Sequence, residues 1–160
     1  MASEQVVLNW VKAALDQKGV RYEIVDREDK TQFVRITYSL DCKLGQATIF
    51  IFCYDDYFNV EATIKQTADD KNLWYVMEYI SRANDGPPIG RFKIDFDDFT
   101  IEYGTTFECK DRTGLSGDLL LSVVEGIVLY MLEKYGDGLL AVMFGYKTPA
   151  EAIEEARTQQ

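Results

Sequence analysis

The 160-residue chain contains no histidine, and that absence excludes several chemistries at once. Without an imidazole there is no Ser-His-Asp or Cys-His arrangement, no HExxH zinc site and no histidine general base. Cysteine is scarce as well. The three thiols, at positions 42, 53 and 109, include no close pair, so neither a disulfide framework nor a CxxC metal or redox motif can be read. Cys53 falls in an apolar strand run and reads as a small core residue, whereas Cys42 and Cys109 lie near turns and are expected to be open to solvent.

Positive charge is in short supply. Seventeen basic against 27 acidic side chains give a net charge of -10, which repels phosphate backbones and anionic lipid alike. The lysines and arginines are scattered singly, so neither nucleic acid nor membrane is an expected partner, and a basic or neutral one is. Long hydrophobic runs are missing too. The longest, from Leu119 to Leu132, is interrupted by Ser122, Glu125 and Gly126 and falls short of the roughly 20 residues of a membrane span, so it reads as a core helix. Glu4 stands where a secretion signal carries positive charge, and no apolar stretch leads to a cleavage site, so a cytoplasmic protein is expected.

What is present suits a packed core. The chain is 47% hydrophobic and 13% aromatic against 28% charged, and its length suits a single domain over 1–160 with a frayed tail from Thr158. Ser3 can cap a first helix whose Val6, Val7, Trp10, Val11, Ala14 and Leu15 share one face, ended by Gly19. Four strand-like runs follow, Val20 to Val25, Gln32 to Tyr38, Gln46 to Tyr54 and about Tyr57 to Ile64, forming an antiparallel meander. The alternation of Val34, Ile36 and Tyr38 with Phe33, Arg35 and Thr37 implies one buried face. Ile49-Phe50-Ile51-Phe52 is apolar on both faces, which puts that strand centrally in the sheet. Thr67 with Asp70 makes a capping-box-like start for a second helix reaching Ala83, and Asn84-Asp-Gly-Pro-Pro-Ile-Gly90 stops it. Strands Ile89 to Phe96 and Phe99 to Glu108 join at Asp97-Asp98. Ser116 and Asp118 open a long helix to Tyr135, Gly136-Asp-Gly138 interrupts it, and a short helical run covers Leu139 to Phe144. Thr148-Pro149-Ala150-Glu151 marks the last helix. The order α-β-β-β-β-α-β-β-α-α predicts an α+β fold, an antiparallel sheet with helices packed on one face.

The candidates for chemistry are thin, and no catalytic residue, metal ligand or cofactor is assigned. Carboxylate-only catalysis stays open, and Asp95, Asp97 and Asp98 are the densest acidic group. A calcium loop starting at Asp95 would need glycine at its sixth position and glutamate at its twelfth, where Thr100 and Thr106 stand. The plainer reading is a solvated hairpin turn. Gly136-Asp-Gly-Leu-Leu-Ala141 formally fits GxGxxG/A, but a helix precedes it where the dinucleotide motif needs a strand, so the glycines read as a helix break. Gly145-Tyr-Lys-Thr148 lacks the Gly-Lys of a P-loop and reads as a helix–helix turn. On the second helix Trp74, Tyr75 and Tyr79 cannot all face inward together with Leu73, Val76 and Met77, so some aromatic surface there is exposed or covered by a partner.

The stretch Arg82-Ala-Asn84-Asp-Gly-Pro-Pro88-Ile-Gly90-Arg-Phe92 resembles the central motif of the YbjN family, in which an Arg-x-Asn helix end runs through Pro-x-Gly-x-Phe into a strand. Asp95 to Thr105, ending Ile101-Glu-Tyr103-Gly-Thr105, is similar to the family's acidic hairpin and following strand. Tyr135 to Gly145 is similar to its closing helix break and Phe-Gly turn. Gly104 departs from the family, which often carries a basic residue there, so an anion-binding role is not carried over to that strand. The resemblance implies the fold of class I type III secretion chaperones, usually dimeric and binding client polypeptide in extended form; family names also mention sensory transduction regulation. The expected function is a non-catalytic protein-binding or regulatory module, a homodimer, whose candidate residues are Trp74, Tyr75, Tyr79, Arg82, Asn84, Pro88, Gly90 and Phe92. The alternative is a small-ligand sensor with its pocket between the sheet and the Asn84 to Gly90 loop.

Overall fold

The computed structural model describes residues 1–87 and 89–159. Helix α1 (Glu4–Gln17) is followed by strands β1 (Glu23–Asp26), β2 (Gln32–Ser39), β3 (Gln46–Tyr54) and β4 (Tyr57–Thr67). Helix α2 (Leu73–Asn84) leads to β5 (Arg91–Ile94) and β6 (Thr100–Glu108). The chain ends in α3 (Gly117–Val123), a π-helical stretch (Val124–Leu129), α4 (Tyr130–Met143) and α5 (Pro149–Thr158). The strands form a six-stranded sheet in the order β1-β2-β3-β4-β6-β5, every neighbouring pair antiparallel. This is the expected α+β arrangement.

Alternation along the strands sets which face is covered. Val34 and Ile36, Ala47, Ile49, Ile51 and Cys53, Phe58, Val60, Ala62 and Ile64, and Ile101 and Tyr103 all point to one face and are buried. Against them pack Val7, Val11 and Leu15 of α1, Val76 and Ile80 of α2, and Leu120, Val124, Val128 and Leu132 of the long helix. No charged or polar side chain is buried among the described residues, so this core is held by apolar area, worth roughly 25 cal/mol per Å² removed from water. Helix ends are set locally. Ser3 accepts from the Val6 amide, Ser116 accepts from the Leu119 amide, and Thr148 with Glu151 closes a reciprocal capping box behind Pro149.

Several expectations need correction. β3 does lie inside the sheet, third of six, but its second apolar face is not covered by a layer. Phe50 and Phe52 are half-buried by Phe33 on β2, at ring distances of 5.9 and 5.1 Å, and by the Arg27 guanidinium lying 4.7 Å over Phe52. An arginine and a neighbouring ring do there what a helix does on the other side. The first strand begins at Glu23, not Val20. Helix α2 begins at Leu73, because Thr67 is still paired in β4 with Thr100. The turn before the helix is built by Asp69, whose carboxylate accepts from the Lys71 and Asn72 amides. The β5–β6 turn is longer than a two-residue one. It runs 95–99, with Asp95 accepting from the Asp97 amide and Asp98 from the Thr100 amide. Cys109 is buried, not open to solvent, and Cys42 is half-buried.

The largest correction concerns Gly136 and Gly138, which do not interrupt a helix. Helical structure is continuous from Gly117 to Met143, and both glycines lie inside α4. A Cβ on Gly136 would stand 2.6 Å from Leu44 Cδ1, and one on Gly138 would stand 3.0 Å from Tyr79 Cζ and nearer still to its hydroxyl. The pair is there for close packing: β2–β3 loop residues approach one side of the helix and Tyr79 the other.

Candidate functional site

The segment from Arg82 to Phe92 is brought together by the fold, and most of its members hold one another. Helix α2 ends at Asn84, where the Arg157 guanidinium of α5 donates to the Arg82 and Asp85 carbonyls, both at 2.8 Å. A cation on the last carbonyls complements the negative end of the helix dipole. Arg82 itself turns outward into an i,i+4 pair with Glu78, its Nε 3.0 Å from the carboxylate. The Asn84 amide does more. Its Oδ1 accepts from the Phe92 amide at 2.6 Å and its Nδ2 donates to the Phe92 carbonyl at 2.9 Å, the pair of bonds a neighbouring strand would make. β5 is an edge strand, and Asn84 therefore occupies hydrogen-bonding groups that a second chain would otherwise use.

Gly90 has φ +73°, and a Cβ there would stand 2.7 to 2.9 Å from the Tyr103 ring and hydroxyl. Glycine thus serves both the left-handed turn and the close approach. The Tyr103 hydroxyl in turn donates to the Ile89 carbonyl at 2.8 Å. Phe92 is only 4% exposed, its ring edge-on to Tyr103 at 4.8 Å and to Tyr135 at 6.0 Å. Pro88 lies outside the described residues. Asn84, Gly90 and Phe92 thus form a latch between α2, β5 and β6.

The three aromatics of α2 separate. Tyr79 is 1% exposed, with its hydroxyl donating to the Tyr135 carbonyl at 2.7 Å, and burial pushes its phenol well above its ordinary value. Trp74 and Tyr75 are 76% and 58% exposed. The Asn72 amide donates to the Met143 carbonyl at 3.3 Å, which sets the start of α2 beside the end of α4. Phe144 and Tyr146 follow there, 69% and 80% exposed, with ring centroids 6.4 Å apart. This aromatic corner was only half legible in the sequence. The missed signal was Phe144-Gly-Tyr146 itself, since aromatics flanking a turn glycine have no regular face on which to be buried.

The sheet face turned away from the helices carries a second feature. Cross-strand register places Glu61, Gly104 and Arg91 in one row, with Thr63, Glu102 and Lys93 in the next and Asn59 beside Thr106 on the other side. A groove of about 550 Å³ runs over Gly104, and Ile89 and Gly90 are among the residues that line it. Lys93 Nζ lies 3.1 Å from Glu102 and 3.8 Å from Glu61. Burial raises the Glu61 carboxyl, Lys93 opposes that, and Glu102 adds to it by charge and hydrogen bond. Burial works to lower the Lys93 amine, but its bond to Glu102 and the charges of Glu61, Glu102 and Asp95 leave it raised.

No family model matches the sequence, and no curated protein matches it. A solved structure does match the fold. The crystal structure of YbjN from E. coli superposes with a TM-score of 0.57 at 10% sequence identity, covering 81% of this chain and 90% of that one. The chain has the YbjN fold. At that identity the likeness concerns the path of the backbone alone, and it agrees with the fold expected from the Arg82 to Phe92 motif.

Within this YbjN fold the thiols are held as core groups. Burial pushes the Cys53 thiol up to about 12 and raises Cys42 and Cys109 as well, the opposite of what a nucleophile needs. Among the described residues no three histidine, cysteine, aspartate or glutamate side chains converge on a common point, and no helix there is long and apolar enough to cross a membrane. The surface of this chain carries two further features: exposed aromatics on the helical side and a charged groove on the open face of the sheet.

Proposed function

We propose that the chain is a non-catalytic, cytoplasmic protein-binding or regulatory module that engages another polypeptide through the corner formed by Trp74, Tyr75, Phe144 and Tyr146. The observation that carries this reading is the exposure of four large aromatics where α2 meets the end of α4. Exposed aromatics bury much area at small entropic cost and are enriched at the centres of interfaces. YbjN is described as a candidate transcription regulator, which supports a regulatory or binding role in general. With a net charge of -10, such a role is better served by contact with protein than with DNA. The dimer expected from the family resemblance belongs to the same proposal. A second copy at this corner would bury the aromatics until a client polypeptide competes for them.

A photocrosslinking amino acid introduced at position 74 or 146, in cells producing the full chain, tests this. Adducts with a second copy or with a discrete polypeptide are expected from both positions. The control is position 28, where Glu28 is exposed in the β1–β2 turn, at the opposite edge of the sheet from β5, against which α2 packs. Absence of adducts at 74 and 146, or equal labelling at 28, would refute the assignment of the corner.

A further inference from the structure

The groove around Gly104 is not accounted for by the fold. Gly104 has an ordinary strand conformation, and a Cβ there would meet Glu61 Cγ at 3.4 Å and the Val60 carbonyl at 3.5 Å, a contact the sheet can accommodate. A strand interior is weakened by glycine, and such a residue marks a place where a ligand or another backbone comes close. The charges around it are incompletely matched. Two carboxylates, Glu61 and Glu102, share the single amine of Lys93, with Arg27 the last and weakest influence on Glu61. Across the gap, Arg91 makes no ion pair among the described residues. Neighbouring strands are about 4.8 Å apart, so Glu61 and Arg91, two strands from each other, can both reach into the space above Gly104.

We infer that this groove binds a small zwitterion of the α-amino-acid class. Its ammonium lies on the groove-lining Glu61 carboxylate, its carboxylate on the Arg91 guanidinium in the paired geometry that guanidinium favours, and its side chain runs toward Ile89. An isolated anion would meet the carboxylates and an isolated cation would meet Lys93 and Arg91, whereas a zwitterion satisfies both ends. The site is on the opposite face from the aromatic corner and stands or falls independently of it.

The test is calorimetric titration and thermal shift of the full chain with each free L-α-amino acid, at about 10 mM so that a dissociation constant of about 0.1 mM is saturated. At least one is expected to bind and to raise the melting temperature, while its N-acetylated and its amidated derivatives each bind at least about tenfold more weakly, having lost one charge. Gly104→Val fills the groove with a residue suited to a strand, and Arg91→Gln removes the carboxylate partner. Both are expected to fold and to lose binding. The inference is overturned if no free amino acid binds the wild-type chain, if Gly104→Val binds as well as wild type, or if the blocked derivatives bind equally.

Discussion

Replacing Gly138 by alanine separates two accounts of the Gly136-Asp-Gly138 sequence by the sign of the stability change. Glycine within a helix is about 0.8–1.0 kcal/mol less favourable than alanine, so at an uncrowded helical site the change stabilises. At Gly138 the new methyl would stand 3.0 Å from Tyr79 Cζ and closer to the hydroxyl, inside the buried contact between α2 and α4. Overpacking of this kind costs about 1–3 kcal/mol, and displacing the Tyr79 hydroxyl from the Tyr135 carbonyl adds about 1 kcal/mol. The net expectation is a loss of about 1–3 kcal/mol, which for a domain of this size lowers the melting temperature by about 3–10 °C. Urea denaturation followed by circular dichroism measures it. Tyr79→Phe removes the atom that the methyl meets first, so Gly138→Ala is expected to cost at least about 1 kcal/mol less in that background. Gly126, with nothing within 4 Å of its Cβ position, is the comparison, and Gly126→Ala should be neutral or stabilising. If Gly138→Ala stabilises the protein in both backgrounds, the close packing of α4 on Tyr79 is wrong.

Other expectations can be checked with equally simple variants. Asn84→Ala strands the amide and carbonyl of Phe92 and uncovers the β5 edge, so a loss of about 2–3 kcal/mol is expected together with concentration-dependent association on size-exclusion chromatography; an unchanged, non-associating variant would contradict the latch. The Glu61 carboxyl is raised above its ordinary value in the folded state, so its stabilising contribution is complete below the unfolded pKa and is lost as pH rises through the folded one. Glu61→Gln should therefore melt at or above the wild-type temperature at pH 7, with the difference shrinking toward pH 4; a gap that widens on acidification would refute this. Thiol titration at pH 8 should find Cys53 and Cys109 unreactive in the native protein and all three cysteines reactive in denaturant, while rapid native reaction at Cys53 would show that the β3 core opens readily.

The motif from Arg82 to Phe92 shows how far residues alone carry the argument. Asn84 and Gly90 stand out as residue types suited to ending a helix and bending a backbone, and Gly90 has a φ of +73° and lies close against Tyr103. The amide of Asn84 binding Phe92 from eight residues away is a different matter. It depends on how α2 docks beside β5, which no local pattern encodes. The aromatic corner divides in the same way: a helix with apolar residues on more than one side signals exposure at Trp74 and Tyr75, but Phe144 joins them only because α2 and α4 lie side by side.

Periodicity and capping chemistry in the sequence determined the order of elements, the antiparallel α+β class and the central position of β3, because these follow from spacing within a few residues and from turn and cap preferences. The same means determined what the chain lacks, since histidine chemistry needs histidine. Only the tertiary structure decided that Gly136 and Gly138 serve packing and not a helix break, that Cys109 is buried, and that a groove runs over Gly104 between Glu61 and Arg91. Each of these depends on which side chain from a distant part of the chain arrives opposite, and that is fixed by how the apolar faces close on one another as the helices cover the sheet.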